Sequence, residues 1–190
     1  MSGITVAVPP TCEPISLAEA REFLRVDGTD QDGLIAGHTV AARQYCEKLC
    51  GRAFINRTLD AKFDYGWPCG NGNDANEIEL RYPPLVSVTS ITYVDGNGAT
   101  QTLASNQYRV SLGDIAGIIV PEWGVSWPAV RSQVDAITVR FVTGYGTNLG
   151  DVPEPIRQAV MLYTRFLYDS REEDEAAAHR LLSLYRTEFL

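Results

Sequence analysis

The stretch from Leu24 to Phe54, LRVDGTDQDGLIAGHTVAARQYCEKLCGRAF, constrains the fold of this chain more than any other. Leu34, Ile35, His38, Ala41, Ala42, Tyr45, Cys46 and Leu49 recur at steps of three and four, the spacing that gathers side chains on one face of an α-helix. Thr29 and Asp32 give a Thr-x-x-Asp start signal and Gly51 a stop, so a capped amphipathic helix is predicted between them. Ser16-Leu-Ala-Glu19 is a second cap signature, and Leu17, Ala20, Phe23 and Leu24 form a shorter stripe that ends before Asp27-Gly28. Two helices joined by a short acidic turn make a hairpin whose stripes must bury on each other or on a third element.

That third element is predicted near the end of the chain. After Pro153-Glu-Pro155, residues Ile156, Ala159, Val160, Tyr163, Phe166 and Leu167 repeat at three and four, with proline in the first turn, where its missing N–H costs nothing. Arg171 to Glu175 (REEDE) reads as solvated. Ala176 to Leu190 then resumes helical propensity with an apolar face of Leu181, Leu182, Tyr185 and Phe189.

Between the helical ends the periodicity changes to that of strands. Ile55 to Tyr65, Ile78 to Leu80, Val86 to Val94, Ala99 to Leu103, Tyr108 to Leu112, Ile115 to Val120 and Val134 to Thr143 supply β material, and Gly70 to Asn76 reads as a loop. Asp95-Gly-Asn-Gly98 is hairpin-turn chemistry, because Gly and Asn tolerate positive φ. The fold class expected is α+β. A small helical bundle body, made of the N-terminal hairpin (1–51) and the C-terminal helices with a terminal arm (151–190), carries an inserted antiparallel β unit (52–150) of roughly five to seven strands.

Motifs that would carry chemistry fail on their spacing. Gly144-Tyr-Gly146-Thr-Asn-Leu-Gly150 follows a strand and precedes a helix, but its glycines are misplaced for a dinucleotide fingerprint, Asp151 and Glu154 would repel a pyrophosphate, and no later strand completes a βαβ unit. Asp27, Asp30, Asp32 and Gly33 imitate a calcium loop, yet Gly28 stands at the first ligand position and Thr39 at the bidentate glutamate position. Cys12, Cys46, Cys50 and Cys69 contain no Cys-x-x-Cys pair, and Cys46 fits the buried stripe as a small hydrophobe. With two histidines, His38 on the hairpin face and one in the tail, a catalytic triad has little material. No catalytic residue, metal site or cofactor is expected.

Charge narrows the partners. A net charge of −8 argues against a protein that grips nucleic acid by its phosphates, though not against an acidic wall past which DNA slides. No apolar run approaches the roughly 20 residues that span a bilayer, and MSGITVAVPP lacks the basic and hydrophobic regions of a signal peptide, so an intracellular protein is expected.

Taken in order, the segments are similar to those of the head-tail connector, or adaptor, proteins of long-tailed bacteriophages, prophages and gene-transfer particles. The matching pieces are Ser16-Leu-Ala-Glu-Ala-Arg-Glu-Phe-Leu-Arg-Val26, the acidic turn, Ala41-Ala-Arg-Gln-Tyr-Cys-Glu-Lys-Leu-Cys-Gly51, Tyr82-Pro-Pro-Leu-Val-Ser-Val88, Ile91-Thr-Tyr-Val-Asp-Gly96, Val139-Arg-Phe-Val-Thr-Gly-Tyr-Gly146, Val152-Pro-Glu-Pro-Ile156 and Tyr168 to Arg171. The resemblance spans Pro14 to Arg171 and implies a virion structural protein, made in the host bacterial cytoplasm. Such a protein forms a ring, typically of twelve copies, under the portal protein, and double-stranded DNA passes through the channel toward the stopper or tail protein without specific binding. It also implies that the terminal segment reaches the portal, so Leu181, Leu182, Tyr185 and Phe189 are expected as portal contacts on an arm separable from the body, with a final helix folded back onto the body as the alternative. A ring subunit needs two different faces, and Trp67, Trp123 and Trp127 are candidate subunit contacts, with caps over the β core as the alternative. A DNA-packaging accessory role, a β-type binding module unrelated to the portal and an enzyme with a polar pocket stay open beside this reading.

Overall fold

The computed structural model describes residues 3–68, 76–113 and 115–187. It is an α+β protein of two compact units, one made of Met1–Pro9 and Arg57–Gly144, the other of Pro10–Asn56 and Tyr145–Leu190. The chain therefore enters the β unit first, crosses into the helical unit, returns to the β unit and ends in the helical one. The first residues differ from the expected boundary because Gly3–Val8 is a strand.

In the helical unit, α1 (Leu17–Leu24) opens on a complete capping box. The Ser16 hydroxyl accepts from the Glu19 N–H, and the Glu19 carboxylate accepts from the Ser16 N–H at 2.7 Å. Helix α2 (Asp32–Cys50) stops as expected at Gly51, whose φ of 71° is the left-handed conformation that favours glycine. Its start differs: Gln31 is the N-cap and makes no side-chain cap bond, while Asp32 pairs with Arg21 at 3.2 Å. Helix α3 (Glu154–Asp169) has Pro153 at its N-cap, and Ile156, Ala159, Val160 and Tyr163 are buried as their spacing predicts. Helix α4 (Glu172–Ser183) begins inside the REEDE run and packs on α3 and α2.

The buried face of α2 is rotated from the predicted one. Ile35, Ala42 and Cys46 are buried, but Leu34 is 53% exposed and Ala41 is exposed; Thr39, Arg43, Glu47 and Cys50 complete the face. The charged pair is tolerated because it is satisfied. Arg43 donates to Glu13 at 2.6 Å and Glu47 at 2.8 Å, and the other Glu47 oxygen accepts from the Phe54 N–H at 2.9 Å. Burial alone would lower the Arg43 pKa; the bonds to Glu13 and Glu47 more than reverse that.

The β unit holds two antiparallel sheets around one core. The strands are β1 (Gly3–Val8), β2 (Arg57–Phe63), β3 (Ile78–Leu80), β4 (Leu85–Val94), β5 (Thr100–Thr102), β6 (Tyr108–Ser111), β7 (Gly117–Pro121) and β8 (Ile137–Thr143). The larger sheet runs β1-β2-β8-β4-β5 and the smaller β3-β7-β6. Alternate residues Leu59, Ala61 and Phe63 of β2 and Ile137, Val139 and Phe141 of β8 face Ile78, Leu80 and Ile119 of the small sheet. The Asp95–Gly98 turn forms as predicted, with Asp95 accepting from the Asn97 and Ala99 N–H groups and Gly98 at φ 87°.

Candidate interaction surfaces

The terminal helix was expected to lack a partner within its own core, and the structure corrects this. Ser170 turns the chain with φ 58°, bringing Asp174 back to Arg165 in a two-pronged pair at 2.5 and 2.5 Å. Asp174 is 3% exposed, so the REEDE run is not wholly solvated. The Arg165 guanidinium also lies 4.3 Å from the centre of the Phe23 ring, tying α1, α3 and α4 together. Ala178 and Leu182 are buried in the helical core, and Leu181 and Tyr185 pack partly against it.

The chain beyond α4 is fastened as well. A helix end leaves carbonyls without partners, and the Cys50 carbonyl at the end of α2 accepts from the Thr187 N–H at 2.9 Å and its hydroxyl at 3.0 Å. Arg52 donates to the Tyr185 carbonyl at 2.6 Å. Tyr45 stacks on Tyr163 with centroids 4.2 Å apart and reaches His179 through its hydroxyl at 3.1 Å. Of the four expected portal contacts, then, Leu182 belongs to the subunit's own core, Leu181 and Tyr185 keep part of their surface, and Phe189 lies outside the described residues. Leu184, which the apolar-face reading omitted, is 81% exposed.

The three tryptophans divide. Trp67 and Trp127 stack on each other, 4.5 Å between centroids and 13° between planes, and pack on the β core. Each indole N–H has a backbone acceptor, Pro128 at 2.7 Å for Trp67 and Asn76 at 2.9 Å for Trp127. Both serve as caps over that core. Trp123, 92% exposed in the loop after β7, alone of the three presents its ring to the outside.

The thiols sit in apolar surroundings. Burial pushes Cys46 far above its ordinary value and Cys50 up to about 11, so both are held as neutral thiols; Cys12 donates to the Thr147 carbonyl at 3.3 Å, and Cys69 lies outside the described residues. Asn148 and Asp151 form a capping box that opens a short 3₁₀ turn, Leu149–Asp151, which is what the glycine-rich stretch builds. An open groove of about 550 Å³ in the helical unit is lined by Glu19, Phe23, Met161, Arg165 and Arg171 among others. Four of its charged groups are already engaged, Glu19 with Arg157, Arg165 with Asp174, and Arg171 and Asp169 with each other.

No protein-family model matches the sequence, and neither does any curated protein. Solved structures do match. A chain in the neck of an empty gene transfer agent particle, computed with C6 symmetry, superposes with a TM-score of 0.82 at 18% identity over 99% of this chain and 97% of its own. A chain of the native gene transfer agent virion gives 0.79 at 20% identity over 98% and 96%. One in the neck of the native particle, computed with C12 symmetry, gives 0.78 at 23% identity over 100% and 97%. Over its whole length, this chain has the fold of chains found in the necks of gene transfer agent particles.

Proposed function

We propose that this chain is a non-catalytic head-tail connector subunit, copies of which form a ring beneath the portal of a phage-like particle, lengthen the DNA channel and join head to tail. The observation that carries the reading is the end-to-end likeness to neck chains, in which helical and β units recur together rather than one unit alone. The co-linear motifs from Ser16 to Arg171 point the same way, and the acidic balance suits a wall that lets DNA pass. The C6 and C12 symmetries with which the neck structures were computed support a ring, and the C12 one a copy number of twelve.

The finer assignments extend the same reading. Portal contact falls to the exposed parts of the terminal segment, Leu181 and Tyr185 with Phe189 beyond them, while Leu182 holds the segment to the body. Trp123 is the tryptophan free to meet a neighbouring subunit, and the opposite end of the ring receives the stopper or tail protein. The virion is the place of action, after synthesis in the host. Purified chain mixed with tailless heads tests this: it should bind heads that carry a portal vertex and not portal-less shells, and equal binding to both, or to neither, contradicts it.

A further inference from the structure

The larger sheet ends in two edges of different build. Strand β5 is three residues long, whereas β1 runs six and, among the described residues, is hydrogen-bonded on one side only, to β2. A free edge offers a row of backbone N–H and C=O groups about 4.8 Å from where another strand would lie, and folded proteins ordinarily blunt long edges with charge, proline or a bulge. The strand GITVAV has no charged residue, and Pro9 and Pro10 lie past its end. Its bulge falls between Val6 and Val8, leaving Gly3 to Val6 in unbroken register with Lys62 to Leu59. Val6 stands opposite Leu59 on the core side and is still 56% exposed; Val8 is 52% exposed. The apolar layer of the sheet thus reaches this edge and stops without cover from the described residues.

We propose that β1 is a docking edge for a second copy of this chain, which lays its own β5 edge along Gly3–Val6 so that the sheet continues from copy to copy; this rests on the ring reading above. The row of backbone groups selects an extended strand as occupant. The choice of β5 comes from symmetry and size. Joining two different edges of one sheet is a head-to-tail contact, the kind a ring requires and which closes when the rotation between copies allows, whereas β1 against β1 stops at a dimer. Thr100, Gln101 and Thr102 are all exposed and uncharged, and three residues fit the stretch before the bulge. With no charged residue in either strand, no like-charge pair opposes the contact.

Sedimentation velocity with amide hydrogen exchange on the full chain, across a concentration series, tests the proposal. Assembly should slow exchange of the outward-facing amides in residues 3–6 and 100–102 by at least about tenfold, as new strand hydrogen bonds do. Val6→Lys, a charge placed on an exposed edge, should weaken self-association by at least about tenfold. A wild-type ring whose 3–6 and 100–102 amides exchange as in the monomer overturns the docking edge and leaves the ring reading standing, even if the variant misfolds. Unchanged assembly of a folded Val6→Lys chain does the same, and a wild-type chain that stays monomeric throughout the series overturns both.

Discussion

Leu34 and Ile35 are neighbours on α2 with opposite fates, 53% exposed and fully buried. Ile35→Ala should lower the unfolding free energy by about 2 to 5 kcal/mol, whereas Leu34→Ala should stay within about 0.5 kcal/mol, both read from urea denaturation. The sequence pattern could place a helix here but not choose between adjacent apolar residues, because the face was completed by Thr39, Arg43 and Glu47. Charged residues read as solvent-facing unless their partners are known, and Glu13 and the Phe54 N–H lie outside the helix. Glu19 was legible, since a capping box is local. The Ser16 N–H, with further help from the Ser16 hydroxyl and Arg157, holds its carboxyl below the ordinary glutamate value of 4.5. A carboxyl depressed in the folded state adds stability above its unfolded pKa and loses it as pH falls through the folded value. The melting temperature of wild type should therefore exceed that of Glu19→Gln at neutral pH, with the gap closing as pH drops below about 4.5. A gap independent of pH would contradict this.

Elements with strong local signals were readable: Gly51, the Asp95–Gly98 turn, the α3 stripe and seven strands between residues 57 and 143. Strand β1 was not. Its six residues alternate weakly, and what makes them a strand is the register with β2, some 55 residues away in sequence. Helix α4 was misjudged for a related reason: its anchor, Arg165 to Asp174, is a tertiary pair hidden in an acidic run. Deleting Ala176–Leu190 removes Ala178 and Leu182 from the core, so the expected clean loss of an arm is replaced by a loss of stability. The truncated chain should be destabilised by at least about 2 kcal/mol in denaturant unfolding, the cost of Leu182 alone. Unchanged stability would mean that α4 does not hold the helical unit together.

At the scale of the whole molecule, the order of helical and β segments pointed to the fold, while the pairing of sequence-distant segments into two units came only from the structure. An acidic chain serving as a channel wall should bind DNA weakly and without sequence preference, because DNA must slide past it. A mobility-shift assay at physiological salt should therefore show no tight complex with the isolated chain, and a sequence-selective one would contradict the channel role. The connector role rests most directly on where this chain sits in a finished particle. Cryo-electron microscopy of purified particles, with the chain fitted into density without imposed placement, should find it as a closed ring at the portal vertex between head and tail. Density for it in the capsid shell, in the tail tube or nowhere in the particle would contradict that claim.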